Sequence, residues 1–124
     1  MSSVKTIKID EVEYVRKDSI TNMLPVLDDK NYSIIRTVNA GVHAGYLHST
    51  DLSNSSVVLK NSRRIWYWEG AASLSQLALE GVKKPKSCKF SVVVPEITLL
   101  GVIEIIPCTT LAVQNISEVE IWRV

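Results

Sequence analysis

The chain has 124 residues, of which 46% are hydrophobic and 22% are charged, and its formal net charge is +1. Such a composition excludes a disordered protein, and a chain of this length is expected to fold as a single domain, residues 1–124, with a buried core. The near-neutral charge excludes a global electrostatic attraction to nucleic acid or membrane, so an anion-binding role would depend on a local cluster of cations.

The first predicted element is a β-hairpin over residues 4–16, because apolar and polar residues alternate on both sides of Asp10–Glu11. The next is a long strand over Tyr32–His48, with Gly41 and Gly45 at positions that favour a bend or bulge. We place the hairpin in the same domain as a barrel-like core that spans residues 32–124.

A second long strand is predicted over Ser56–Trp68, whose sequence is SVVLKNSRRIWYW. In a straight strand Arg63 and Arg64 would point to opposite faces, and neither face would be fully apolar. A bulge at Ser62–Arg63 would restore one mostly buried face, and such bulges often redirect side chains at functional sites.

A short helix is expected to begin at Leu74, because Ser73 and Gln76 have the spacing of a capping box. Leu77 and Ala78 would share its buried face, and Gly81 suits the position just after its end. An isolated helix of about two turns is marginal in water, so this one must pack on a sheet.

The C-terminal part of the chain is predicted to be mostly strands, which Pro95 and Gly101 separate. The expected elements are strands at Phe90–Val94, Ile97–Leu100 and Val102–Ile106, a helical turn at Leu111–Ile116, and a closing strand at Val119–Val124. The fold class is therefore α+β with β dominant, a small bent sheet or partly open barrel with one short helix.

Metal and membrane chemistry have little support in the sequence. Cys88 and Cys108 are 20 residues apart and have no metal-ligand spacing, which favours buried reduced thiols over a disulfide. No apolar run reaches the ~18 residues of a membrane span, and residues 1–8 have no signal-peptide core. We expect no metal, no cofactor and no membrane association, and a cytoplasmic location.

The candidate site is a basic-aromatic segment in the second long strand. Its members are Lys60, Arg63, Arg64, Trp66, Tyr67 and Trp68. Arginine pairs with phosphate through two parallel hydrogen bonds, and a base stacked on an aromatic face is worth ~1–3 kcal/mol. The alternative is that the aromatic rings pack the core and the arginines lie on its rim. No catalytic motif is visible, so no catalytic residue is assigned and an enzyme is not expected.

Several segments resemble a family of small uncharacterised proteins encoded by tailed phages and prophages. They are IDEVEYV, AGYL, VVLKNSRRIWYWEGAASLSQLALEGV, CKF and VIEIIPCT, in this order, and RRIWYWEGAASLSQLA is the most specific. This resemblance covers nearly the whole chain. It implies a viral origin but supplies no activity and no site.

A shorter stretch, AGVHAGYLHSTD followed by SSVVLKN, resembles the first motif of Sm-like RNA-binding barrels. Gly45, Asp51 and Asn61 lie near the expected positions, whereas LLGVIEII stands where the second motif would have an Arg-Gly pair. This resemblance implies a barrel topology.

Taken together, these features lead to three functional hypotheses. The first is a non-enzymatic phage accessory protein in the host cytoplasm, a homo-oligomer that blocks a host function by binding a host protein or sequestering a nucleotide-like ligand. The second is a virion structural protein of the capsid, neck or tail, which would place it in the virion. The third and least favoured is a nucleic-acid-binding barrel.

Overall fold

The computed structural model of the chain describes residues 26–123, so the hairpin expected over residues 4–16 lies outside the described residues. The strands are β1 (Tyr32–Thr37), β2 (Val42–Asp51), β3 (Ser56–Tyr67), β4 (Lys89–Phe90), β5 (Val94–Leu99) and β6 (Val102–Pro107). The α-helices are α1 (Leu74–Glu80) and α2 (Thr110–Glu118), and a short 3₁₀ turn lies at Pro85–Ser87.

All six strands belong to one antiparallel sheet, whose order is β6-β1-β2-β3. Along its other side β3 pairs first with β5 and then with β4, so both ends of this long strand are covered. The fold class predicted from the sequence, α+β with β dominant and a partly open sheet, is confirmed. The expected helical turn at Leu111–Ile116 is a second full helix, α2, of nine residues. The single long strand expected over Tyr32–His48 is wrong: the chain turns before Gly41, whose φ is 84°, and forms the antiparallel pair β1 and β2.

The sheet separates two apolar clusters. Ile34 and Ile35 are neighbours in β1 and both are fully buried, yet they belong to different clusters because successive side chains of a strand point to opposite faces. The first cluster contains Ile34 and the buried residues of both helices. The second contains Leu99 and, packed against it, Ile105. Because these residues come from the two separate edge strands β5 and β6, the sheet must curl around the second cluster.

A β-bulge in β3 determines which side chains face which cluster. Ala44 pairs with Arg63 and Tyr46 with Lys60, so Gly45 alone lies opposite the two residues Asn61 and Ser62. Asn61 has a φ of 47°, in the left-handed region. The bulge is thus one residue earlier than the Ser62–Arg63 position expected from the sequence. It does not restore a single buried face, because Val57 and Leu59 face the second cluster, whereas Ile65, after the bulge, faces the first.

The Ser73 cap predicted for α1 is confirmed, but the return bond of the predicted capping box goes to Ala72 N, one residue before the cap. Ser73 Oγ accepts a hydrogen bond from Gln76 N at 3.2 Å, and Gln76 Oε1 accepts one from Ala72 N at 2.8 Å. Gly81 follows with a φ of 76°, and its N–H donates to Leu77 O. The helix buries Leu77 against the first cluster. Its seven residues are therefore held in place by packing and not by intrinsic helix stability.

The closing strand expected at Val119–Val124 is wrong for the residues that the structure describes. Thr109 caps α2 by accepting a hydrogen bond from Ala112 N, and the helix continues to Glu118. The segment after it makes only one isolated bridge, between Ile121 and Phe90. The alternating pattern therefore arises from a helix end and a short exposed tail that is bonded to Phe90. Within residues 26–123, no helix combines the length and the apolar character needed to cross a membrane.

Leu77→Ala tests the packing of α1. Leu77 is fully buried, and truncation of such a leucine lowers the free energy of unfolding by ~2–5 kcal/mol. Leu79→Ala, in the same helix, is the matched control because 43% of Leu79 is exposed. Urea unfolding should show a large loss for the first variant and a small one for the second; equal losses would contradict this packing.

Candidate ligand-binding site

The two adjacent arginines of β3 lie in different environments. Arg63 is 3% exposed, and its Nε donates to Ser91 O at 3.0 Å. Its Nη1 donates to Ile116 O at 3.0 Å and to Val119 O at 2.8 Å, the carbonyls at the end of α2. Burial lowers the pKa of Arg63 from its ordinary value. Arg63, predicted from the sequence as a ligand contact, therefore has its hydrogen-bond donors engaged largely by the backbone of the core.

Arg64 lies on the other face of β3 and is only half-buried. Its guanidinium carbon lies 5.4 Å from the ring centroid of Trp66, a cation–π distance, and 59% of Trp66 is exposed. Ser91 holds the Arg64 backbone on both sides, because its Oγ accepts from Arg64 N at 2.7 Å and its N donates to Arg64 O at 2.8 Å. Among the charged residues of the predicted segment, Arg64 is the one that combines a fixed backbone with an available guanidinium.

Arg64 and Trp66 border a cavity of about 220 Å³, which we call the Arg64 cavity. Its polar walls are His43 of β2, Ser62 of β3 and Ser91, which follows β4, and its apolar walls include Val94 and Ile97 of β5. His43 and Arg64 are directly paired across β2 and β3, which places their side chains on one face of the sheet. The cavity therefore combines a cation, an indole ring and three polar residues on an apolar background.

Two buried polar atoms of this cavity have no hydrogen-bond partner among residues 26–123. His43 is 1% exposed and its Nδ1 is unpaired, while Ser62 is fully buried and its Oγ is unpaired. Most buried polar groups in native structures are hydrogen-bonded, so two unpaired atoms in one cavity require an explanation. They are the groups that a bound molecule would satisfy.

The approach of β2 to β3 positions Ser62. A Cβ at Gly45 would lie 2.9 Å from Ser62 Cα and 3.0 Å from Ser62 Cβ, distances too short for any side chain. Glycine at this position therefore lets the bulge of β3 lie directly against β2, which brings Ser62 beside His43.

Burial is the main reason that the pKa of His43 is lowered from its ordinary value of 6.5. Its Nε2 lies 2.8 Å from Ala40 O, a contact that acts in the opposite direction, and the charge of Arg64 lowers the pKa further. The imidazole is therefore neutral at pH 7. Ile35, paired with His43 from β1, and Ile97 of β5 bring no charge to the cavity.

The other predicted site residues lie outside this cavity. Lys60 Nζ pairs with Glu96 Oε1 of β5 at 2.6 Å, and the two side chains are about half exposed. Tyr67 donates to Glu69 Oε2 at 2.5 Å. Trp68 packs against the first apolar cluster, although it also borders a shallow depression with Arg64 and Trp66. The structure thus brings Arg64, Trp66 and Trp68 together and separates Lys60 and Arg63 from them.

A second aromatic surface continues from the outer side of Trp66. Trp66, Tyr67, Lys89 and Trp122 line one open depression, and Lys89 Nζ lies 5.3 Å from the ring centroid of Trp122. This surface is mostly apolar and has no buried polar group of the kind that lines the Arg64 cavity.

His43, Ser62 and Ser91 are the site residues that the sequence did not reveal. No motif singles them out, because they meet Arg64 only through the pairing of β2 with β3 and through the loop that follows β4. Within the described part of the chain no three His, Cys, Asp or Glu side chains are grouped as a metal site. Cys88 and Cys108 are both free and buried, and burial raises the pKa of the Cys108 thiol to about 12.

Residues 30–116 match the family model described as a domain of unknown function, DUF6948, and the chain belongs to this family. The match includes every strand of the sheet and the whole Arg64 cavity. Neither the curated proteins nor the solved structures gave a match.

The lowered pKa of His43 has a consequence for stability. As the pH falls below about 6.5, the His43 imidazole takes up a proton in the unfolded state before it does so in the folded state. The free energy of unfolding therefore decreases as the pH falls from 6.5 toward the lower pKa of the folded state. Thermal melting from about pH 7 to about pH 5 should show this decrease, and His43→Leu should remove part of it. Identical pH profiles for the two proteins would contradict the buried neutral imidazole.

Proposed function

We propose that this protein is a non-enzymatic binding protein that holds a nucleotide-like ligand, a planar ring joined to an anionic group, at the Arg64 cavity. The resemblance to phage proteins implies only a viral origin; we further propose that the protein acts as an accessory protein in the host cytoplasm and blocks a host function by sequestering this ligand. A host protein that displays the same chemistry is the alternative partner.

The observation that carries the proposal is the geometry of Arg64 and Trp66. A guanidinium at 5.4 Å from an indole ring offers a charged fork and a flat apolar surface side by side. The fork can pair with a phosphate or carboxylate, and the surface can support a stacked ring. Among the residues that the structure describes, no acidic side chain lines the cavity to neutralise Arg64.

The size of the cavity limits what can enter it. Pockets that enclose a drug-sized ligand have volumes of roughly 300–1,000 Å³. The Arg64 cavity, at about 220 Å³, is smaller, so it would enclose one ring while the remainder of the ligand lies at its mouth. This division fits a nucleotide whose charged part stays near Arg64.

Self-association is a second proposal and is compatible with the first. Among the described residues, β5 and β6 each have one edge that pairs with no other strand. Unpaired edges favour association with another chain, so we propose a closed homo-oligomer, which a virion structural protein would also require. Light scattering at micromolar concentration tests this proposal. We expect the mass of an oligomer, and the mass of a monomer would contradict the proposed self-association.

Native mass spectrometry of the protein isolated from the cells that make it tests the binding proposal. We expect a retained small molecule in addition to the mass of the chain or its oligomer. Arg64→Ala should lose this molecule, because a charge-assisted hydrogen bond contributes about 1.5–3 kcal/mol, one to two decades of affinity.

Arg36→Ala is the matched control. Arg36 is an arginine of the same sheet that pairs with Glu104 at 2.7 Å, outside the Arg64 cavity. This variant should retain the molecule. Isolated protein that carries no molecule, together with no binding of nucleoside 5′-monophosphates in titration calorimetry, would contradict the proposed function.

A further inference from the structure

We infer that His43 and Ser62 determine specificity, and that the Arg64 cavity selects ligands whose ring carries a hydrogen-bond donor over the same ring without one. The inference rests on the proposed function, because it specifies the ligand of the same site. It is carried by the two buried polar atoms that have no partner among the described residues.

The contact of His43 with Ala40 determines what the free nitrogen can do. The partner of Nε2 is a backbone carbonyl, which only accepts, so Nε2 must carry the hydrogen of the neutral ring. Nδ1 then has a lone pair and no hydrogen. It is an acceptor at the wall of the cavity, and a ligand must supply a donor to satisfy it.

Ser62 supplies a second polar group beside this acceptor. A hydroxyl both donates and accepts, so Ser62 Oγ can accept from the same ligand group or bond to the atom next to it. Ser91 also lines the cavity, but its Oγ already donates to Val92 O and accepts from Arg64 N, and Val94 and Ile97 add no polar side-chain atom. A ring with an amino or imino group can therefore donate a hydrogen bond to His43 Nδ1. A ring that presents only C–H groups leaves this nitrogen unpaired.

The preference for a ring with a hydrogen-bond donor over the same ring without one should be strong. A site built to hydrogen-bond a polar group rejects the analogue that lacks it, because its own buried polar atoms are then left without partners. The structural bond of His43 to Ala40 uses Nε2 and leaves Nδ1 unpaired, and the packing of Ser62 leaves its Oγ unpaired, whereas a polar ligand would satisfy both atoms. Bound water is the remaining rival, because a polar cavity of sufficient size can hold it.

Titration calorimetry with three probes tests the inference. Adenosine and guanosine 5′-monophosphates carry donors on the purine ring, and purine riboside 5′-monophosphate carries none. We expect the wild-type protein to bind at least one of the first two at least about tenfold more tightly than the third.

Ser62→Ala and His43→Leu should each reduce this preference. Ser62→Ala should also leave the melting temperature unchanged or raise it, because it removes a buried hydroxyl that has no partner. Ser33→Ala is the matched control: Ser33 is also buried, but its Oγ donates to Asn31 O at 3.3 Å. This control should lower stability and keep the preference.

The outcomes separate the two proposals. Equal affinity of the wild-type protein for all three probes, with binding still lost in Arg64→Ala, would overturn the inference and leave the proposed function standing. A preference that survives in both Ser62→Ala and His43→Leu would overturn it too and would leave water as the partner of these atoms. Binding of none of the probes would overturn the inference, and if the isolated protein also carried no small molecule, the proposed function would be overturned as well.

Discussion

The buried guanidinium of Arg63 is the interaction on which the rest of the structure depends. A buried charge is unfavourable unless hydrogen bonds compensate it, and here the carbonyls of Ser91, Ile116 and Val119 accept from Nε and Nη1, while Nη2 has no partner among residues 26–123. The Phe90 ring lies beside it, with 5.2 Å from its centroid to the guanidinium carbon. Because these carbonyls belong to the loop after β4 and to the end of α2, a single side chain joins the long strand to the helical layer.

This constraint also places the candidate site. The bulge at Asn61–Ser62 directs Arg63 toward α2, and the next residue must then point to the opposite face, where His43 and Trp66 lie. Ser91 serves both sides, since its carbonyl binds Arg63 and its hydroxyl binds the Arg64 backbone. The two neighbouring arginines thus have different roles: Arg63 stabilises the fold, and Arg64 is the proposed anion-binding residue.

Local patterns predicted the elements that depend on local chemistry. The strand at Ser56–Tyr67 and the helix cap at Ser73 follow from β-forming residues and from one capping residue, and both were predicted. The closing strand was wrong because the alternating pattern after Glu118 could not show that Arg63 would take the Val119 carbonyl. The pairing of Arg64 with Trp66 was visible as two residues on one strand face. The sequence could not reveal His43 or Ser62, because their proximity depends on strand pairing and on a bulge.

A paired substitution of the two arginines tests the division of roles most directly. Arg63→Met and Arg64→Met remove the same charge and keep a similar alkyl chain, and both can be measured by urea unfolding. Arg63→Met should lower the free energy of unfolding by several kcal/mol, because each buried carbonyl left unpaired costs about 1–3 kcal/mol. Arg64→Met should lower it by about 1 kcal/mol or less, the value of an exposed cation–π contact. Equal losses, or a larger loss for Arg64→Met, would contradict the assignment of Arg63 to the fold and of Arg64 to the site.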